Sequence, residues 1–222
     1  MAQWDFMKLT NNMCELIGAI IGNGNIYDRR PSYVELSGHP TEDLIYFKKI
    51  LTQLVINELS YNPRLFFHSS AVRIRISNKN FVIWLKSLGI PSGKFKFKRV
   101  LIPKKICISW KKTRNCIRGI FDTDGCVSFD KRPIYSQPYP RVVLHILNED
   151  LLKQLYKILK DKKFNVTISK KESSIYLNGF NEVRKFLIRI GFSNPRHHNR
   201  IKSLYPNLMK YNSVKCPSST AW

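Results

Sequence analysis

Two nine-residue segments hold the residue types that chemistry needs. The first is Leu16-Ile17-Gly18-Ala19-Ile20-Ile21-Gly22-Asn23-Gly24, and the second is Ile117-Arg118-Gly119-Ile120-Phe121-Asp122-Thr123-Asp124-Gly125. Each reads as a short apolar helix stopped by glycine. Gly18 and Gly22 sit four apart on one helical face, as do Gly119 and Thr123. Small residues at that spacing form a helix interface, because no bulky side chain keeps the backbones apart. Packed in parallel, the two helices would bring their C-terminal ends together and set Asn23 beside Asp124. An amide and a carboxylate oxygen at such a junction suit a hard divalent cation. Such an ion neutralises a phosphate, activates water and stabilises the leaving oxygen in phosphodiester hydrolysis. Asp122 has only Ile21 opposite it, so its expected role is a structural hydrogen bond. Glu15 and Arg118 are expected at the surface of the helix pair.

The elements that must position these segments repeat. The terminal glycines are 101 residues apart, Thr41-Glu42-Asp43-Leu44 returns as Asn148-Glu149-Asp150-Leu151 at 107, and Leu88-Gly89-Ile90 returns as Ile190-Gly191-Phe192 at 102. Ordered matches at nearly constant offset describe a duplicated unit of about one hundred residues. In the first unit, Tyr33 to Ser37 alternates as a half-buried strand. Thr41 is the expected N-cap of a helix striped by Leu44, Phe47, Ile50, Leu51 and Leu54. A hairpin from Leu65 to Ile76 and a helix from Phe81 to Leu88 follow, with Phe81 and Trp84 in its core stripe. The second unit reads as strand Arg141 to Ile146, helix Asn148 to Leu159, hairpin Asn165 to Leu177 and helix Glu182 to Ile190. The domain reading is an N-terminal αββαββα half over 1–93, a basic linker over 94–112, a C-terminal half over 113–210 and a tail over 211–222. The run from Lys94 to Arg114 has nine basic residues and no acidic one, and is expected to touch phosphates.

On these nonapeptides and this duplication, the chain resembles the LAGLIDADG homing endonucleases in their two-motif, monomeric form, over roughly residues 11–204. The second copy matches the family pattern closely; the first is looser but correctly placed. The resemblance implies an α+β fold in which duplicated αββαββα units form a pseudo-two-fold DNA-binding saddle. It implies a site-specific endonuclease that reads a long asymmetric duplex in the major groove. Mg²⁺ is the implied cofactor, with Mn²⁺ substituting and Ca²⁺ supporting binding without cleavage. The family's acidic ligand is the eighth motif residue, which falls on Asn23 and Asp124, with Gly22 and Thr123 beside them in the metal site. Asn23 departs from the pattern, since an amide brings no charge to the ion, and impaired cleavage or nicking is expected. The family also places a basic residue near the reactive water in each half; Lys98 and Arg200 fit best, then Lys96 and Lys202. An intron-encoded origin is implied. The alternative is a non-cleaving binder such as an RNA-splicing maturase, which would add host intron RNA to the partners.

Composition agrees with a polyanion partner. The 222 residues carry a formal charge of +23, yet 43% are hydrophobic and 12% aromatic, so the chain folds rather than forming a basic tail. The longest apolar stretch, Leu16 to Gly22, is far short of a bilayer span, and no secretory signal opens the chain. Five scattered cysteines form no CxxC pair or disulfide framework. An intracellular protein, cytoplasmic, nucleoid-associated or organellar, is the expectation. Strand alternation gives the base-reading candidates. With Val72, Ile74 and Ile76 inward, Arg73 and Arg75 face out, joined by Asn25, Tyr27, Arg29, Arg30, Tyr33, Glu35 and Ser37. Ser128, Arg132, Tyr135, Arg141, His145 and Tyr176 are the counterparts. His197 and His198 are expected to be solvent-exposed or to contact phosphate, there being no second His/Cys cluster at metal-ligand spacing.

Overall fold

The computed structural model describes residues 7–93 and 99–209. Lys94, Lys96, Lys98 and the tail over 211–222 lie outside the described residues. The first half opens with α1 (Asn11–Asn23), whose N-terminus is capped by the Thr10 hydroxyl accepting from Met13 N. It continues through β1 (Gly24–Tyr27), β2 (Tyr33–Gly38), a helical segment ending in α2 (Thr52–Leu59), β3 (Arg64–Phe67), β4 (Val72–Ile76) and α3 (Lys79–Ser87). A short helix α4 (Lys104–Cys107) leads to the second half: α5 (Trp110–Asp124), β5 (Gly125–Asp130), β6 (Tyr139–His145), α6 (Glu149–Asp161), β7 (Val166–Ser169), β8 (Ser174–Asn178) and α7 (Gly179–Arg189). Two further helices follow, α8 (Pro195–Leu204) and α9 (Pro206–Met209), neither of which the periodicity anticipates. The fold is α+β, each half reading αββαββα.

Both sheets are four-stranded and antiparallel with the same order, β1-β2-β4-β3 and β5-β6-β8-β7. Gly24 pairs with Leu36 and Gly125 with Leu144, so each motif glycine begins its sheet at an equivalent place. One face of each sheet is apolar: Val34, Leu36, Ile74 and Ile76 in the first, Val142, Leu144, Ile175 and Leu177 in the second, all buried. The helices cover these faces, with Phe47, Leu51, Val55, Phe81 and Leu85 on one side and Leu151, Leu155, Leu159, Val183 and Phe186 on the other. Period-2 strands and period-3.6 helices thus bury their stripes against each other, leaving the opposite sheet faces uncovered. No helix among the described residues is long and apolar enough to cross a membrane.

Two expectations about the helices change. Thr41 is not the N-cap: the His39 ring accepts from Thr41 N and Glu42 N, and the Asp43 carboxylate accepts from His39 N at 2.8 Å. The helix then passes through a π-turn, Tyr46–Leu51, where the Thr52 hydroxyl donates to Phe47 O. The basic segment after residue 98 is also more than a phosphate-contacting linker. Val100, Ile102 and Ile106 are buried, the Gln154 side chain brackets the Ile102 backbone through two hydrogen bonds, and the Asn148 N-cap donates to Val100 O. These residues lie against the helices of the second half, because their side chains are apolar where their neighbours are lysine.

Candidate active site and nucleic-acid interface

The motif helices pack in parallel through their small residues. A methyl group on Gly18 would overlap the Cys116 carbonyl, one on Gly119 the Glu15 carbonyl, and one on Gly22 the Thr123 hydroxyl. Neighbouring residues advance together along the two helices, from Glu15–Gly119 to Gly22–Thr123, so both C-terminal ends arrive at one place. There Asn23 is exposed and Asp124 half-buried. An Asp124 carboxylate oxygen lies 3.4 Å from where a Gly22 Cβ would stand, so the second motif's acid faces the end of the first helix. Asn23 Nδ2 donates to Ser37 O at 2.5 Å, which leaves its Oδ1 as the group a cation could use. Thr123 hydrogen-bonds back to Gly119 O and Ile120 O, filling the gap that Gly22 opens.

Behind this junction lies a buried polar network that the sequence did not announce. Asp122 is fully buried and its carboxylate accepts from Ser193 N and Asn194 N. Burial and the neighbouring Glu15 raise its pKa well above the usual carboxylate range. Its structural role is as expected. Glu15 and Arg118, expected at the surface, instead form a 3.2 Å ion pair in the interior, where Glu15 also accepts from the Ser193 hydroxyl. Asn194 bridges the halves, donating to Asp43 Oδ1 and Asp122 O. Arg196 does the same with charge: it pairs with Asp43 at 3.1 Å and donates to the carbonyls of Asp122, Thr123 and Gly125. The first two are in the last turn of α5 and the third opens β5, so Arg196 fixes the helix end from which Asp124 projects. The dipeptide Asn194-Pro195, a capping residue before a first-turn proline, was the available signal for α8.

His197 is 1% exposed and stacks on Phe192 at 4.2 Å, which corrects its expected solvent position; His198 is half-buried and bonds to Phe192 O. The hydrophobic turn at Phe192 folds back over both rings. Burial, then Arg196, lowers the His197 pKa to about 3. A depressed pKa means the unfolded chain takes up the proton first, so this stability is complete above pH 6.5 and is lost as pH falls towards 3. His197→Phe is expected to flatten the acid limb of stability, removing about 2 kcal/mol of the decline between pH 7 and 5. Urea melts at the two pH values measure it; equal slopes in both proteins would refute it.

The outward faces of the sheets carry the remaining candidates. Asn25, Glu35 and Arg75 lie in register across the first sheet, as do Tyr27 with Tyr33 and Ser37 with Arg73. The register adds Arg64 opposite Arg75 and Phe66 opposite Arg73, which alternation along β3 alone could have supplied. Glu35 pairs with Arg75 at 2.6 Å and Arg73 at 3.7 Å, while the Arg75 guanidinium lies over the Tyr33 and Phe66 rings. Arg75 is therefore held in one orientation before any ligand arrives. Arg29 and Arg30 sit exposed in the β1–β2 turn. On the second sheet, Ser128 faces Arg141, Tyr176 shares the face with Cys126 and Thr167, and His145 bonds to Ser174. Arg132 and Tyr135 stand in the β5–β6 loop; Asp130 holds both Arg132 and Arg141, and the hydrogen bond from Arg132 lowers the Asp130 pKa. Arg200 lies beside the start of β5, donating to Cys126 Sγ at 3.1 Å and reaching Glu42 of the first half at 3.5 Å. Lys202 is exposed on α8. If this face meets DNA, Glu35→Gln is expected to free the paired arginines, steepening the salt dependence of binding by about one unit of slope and lowering sequence discrimination. Titrations at several salt concentrations read this directly, and an unchanged slope would count against it.

No family model and no curated protein matches the chain by sequence. Solved structures do match. The chain is similar to the homing endonuclease I-DmoI in complex with DNA and Mn (TM-score 0.55, 18% identity, 84% of this chain and 99% of that one). It is similar to the LAGLIDADG meganuclease I-AabMI bound to uncleaved DNA (TM-score 0.53, 15% identity, 89% and 91%). A third match is full-length DUF199/WhiA from Thermatoga maritima (TM-score 0.53, 16% identity, 89% and 61%). Identities this low carry the architecture alone, at TM-scores of 0.53 to 0.55 over more than four-fifths of this chain. The chain has the fold of the LAGLIDADG homing endonucleases.

Proposed function

We propose that the chain is a site-specific, metal-dependent DNA endonuclease, acting as a monomer, in which one of two metal ligands is weakened. The observation that carries this reading is the meeting of Asp124 and the Asn23 end of α1 at one junction, with an arginine- and tyrosine-bearing sheet face in each half. No group of three or more His, Cys, Asp or Glu residues among the described residues could hold a metal by itself. That suits an ion completed by substrate phosphate and water. On the Asp124 side the donors fit: a half-exposed carboxylate at a helix C-terminus, where the dipole favours a cation. On the Asn23 side only a neutral oxygen is offered. A bound Mg²⁺ would stabilise charge on the phosphate and lower the pKa of water. The protein's own part is to hold Asp124 through the Arg196 clamp, place the Arg200 cation beside Cys126 at the start of β5, and read the duplex from Arg73, Arg75, Arg141 and Tyr176. Lys98 is proposed as the first half's basic residue. Asn23, which brings no charge to a cation, favours as a second reading a binder on the same fold that does not cut.

Selection from a randomised duplex pool, with Ca²⁺ present, followed by Mg²⁺ challenge of the enriched sequence, tests the proposal. Enrichment of one long site and its hydrolysis, with Asp124→Asn losing cleavage by roughly 10³-fold or more while binding persists, is the expected result. Enrichment without any hydrolysis in Mg²⁺ or Mn²⁺ would give the second reading the function. Absence of enrichment would end both.

A further inference from the structure

The motif offset of 101 makes each position on one central helix equivalent to one on the other, and the surroundings of the two helix N-termini are not alike. In the second half, Ile102 and Ile106 are buried beside α5, where the Thr113 hydroxyl donates to Ile106 O. At the first half's side of the helix pair a cavity of about 540 Å³ opens between the N-terminal parts of α1 and α5 and the helical segment over 46–59. The cationic α5 residues lining it are Lys111, Arg114 and Arg118, beside Asn115. Their equivalents on α1 are Thr10, Met13 and Ile17, of which Met13 and Ile17 are buried apolar residues. The cationic lining is therefore particular to this cavity and not a consequence of the chain's overall charge.

Lys49 joins these cations from the π-turn. Arg118 is engaged by Glu15 and by Ile190 O, which also neutralises the Glu15 carboxylate in the lining. Arg114 Nε is buried with no hydrogen-bond partner among the described residues, and such a donor is costly to leave unmatched. Both helices start here without an acidic residue in the first turn, so their dipoles add to the positive potential. Ile50 and Leu54 supply an apolar wall, and Gln53 and Asn57 bring amide donors and acceptors to it. A volume of this size falls within the range that holds small-molecule ligands.

We propose that this cavity binds a nucleotide, its phosphates held by Lys49, Lys111 and Arg114 and its base against Ile50 and Leu54. The site is distinct from the Asn23–Asp124 junction: its lining lies 6 to 13 residues earlier on the helices, roughly 9–20 Å along their axes. It is also independent of the endonuclease reading, and its test needs no DNA target. The full chain is titrated into a ribose-labelled fluorescent ATP and followed by anisotropy, with ATP, GTP, UTP and a short single-stranded RNA as competitors. Saturable binding, displaced by unlabelled nucleotides, is expected. The double variant Lys49→Glu/Lys111→Glu changes two exposed side chains and should weaken binding at least tenfold. Arg73→Glu, on the outward face of the first sheet, should leave it within twofold. Absence of saturable binding at millimolar protein would overturn the proposal. So would loss of binding in Arg73→Glu, which would place the probe on the sheet face, and so would displacement by RNA but not by nucleotides, which would make the ligand a polynucleotide strand.

Discussion

Asn23→Asp is expected to raise double-strand cleavage of the enriched site by about 10²–10³-fold, equivalent to roughly 3–4 kcal/mol of transition-state stabilisation. The argument begins with the hydrogen bond from Asn23 Nδ2 to Ser37 O. Aspartate cannot donate it, and a carboxylate facing that carbonyl is repelled. The new side chain is exposed, so it turns away from β2 at little steric cost, and the junction with Asp124 is where its charge is useful. Two carboxylates there repel each other until a cation is present. The variant should therefore melt lower than the parent by about 1 kcal/mol in chelator and recover in Ca²⁺. A supercoiled plasmid carrying the site separates the outcomes: nicked circles accumulate with the parent chain, linear product with the variant. Linear product forming equally fast from both would show that the amide suffices and that Asn23 is not the weak ligand. Calcium-dependent recovery of melting without a gain in cleavage would keep the metal site but move the rate limit elsewhere, to the Arg200 side or to the duplex.

Much of this architecture was legible in the chain because it depends on local period and on repetition. Gly18, Gly22, Gly119 and Thr123 announce a close helix pair through their size alone, and the structure leaves no room for a Cβ at the three glycines. Alternation of Val72, Ile74 and Ile76 with Arg73 and Arg75 announces which face of β4 is covered. Even the role of Asp122 followed from its unequal partner at Ile21. What stayed hidden depends on contacts between residues far apart in the chain. Ser193 bonds to Glu15 across 178 residues, and Arg196 to Asp43 across 153. Nothing local distinguishes a buried Glu15 from one at the surface of a helix pair; only the arrival of Arg118 and Ser193 does. His197 deceives for a more local reason, its ring being covered by Phe192, five residues earlier on the turn before α8. Thr41 has the composition of a cap, but the two amides its hydroxyl would accept are taken by backbone carbonyls, Asp43 N by His39 O and Leu44 N by Thr41 O. The Thr41-Glu42-Asp43-Leu44 match with Asn148-Glu149-Asp150-Leu151 located a repeat correctly while concealing a difference: Asp43 is buried as a junction between halves, and Asp150 is exposed.

Gly18→Val is expected to cost about 3–5 kcal/mol, a large share of the roughly 5–15 kcal/mol by which proteins are ordinarily stable. The side chain would meet the backbone of Cys116, carbonyl carbon and oxygen together, and backbone cannot rotate out of the way as a side chain can. The helices would have to separate, and separation spreads. Leu16, Ile17, Ile20, Ile117, Ile120 and Phe121 are all fully buried, so even a small gap leaves unfilled volume through the middle of the core. The polar network behind the interface has no slack either, since Glu15 is one residue row from Gly18 and its ion pair with Arg118 spans the two helices. A substitution at Gly89 makes the control. That glycine has φ +88° with nothing within 4 Å of a prospective Cβ, so Gly89→Asn strains one turn at about 1 kcal/mol or less. Chemical denaturation of the two variants should therefore differ by several kcal/mol in opposite sense to their solvent exposure. Gly18→Val as stable as the parent would mean the motif helices are not held together through their small residues, and the placement of Asp124 against the end of α1 would lose its physical basis.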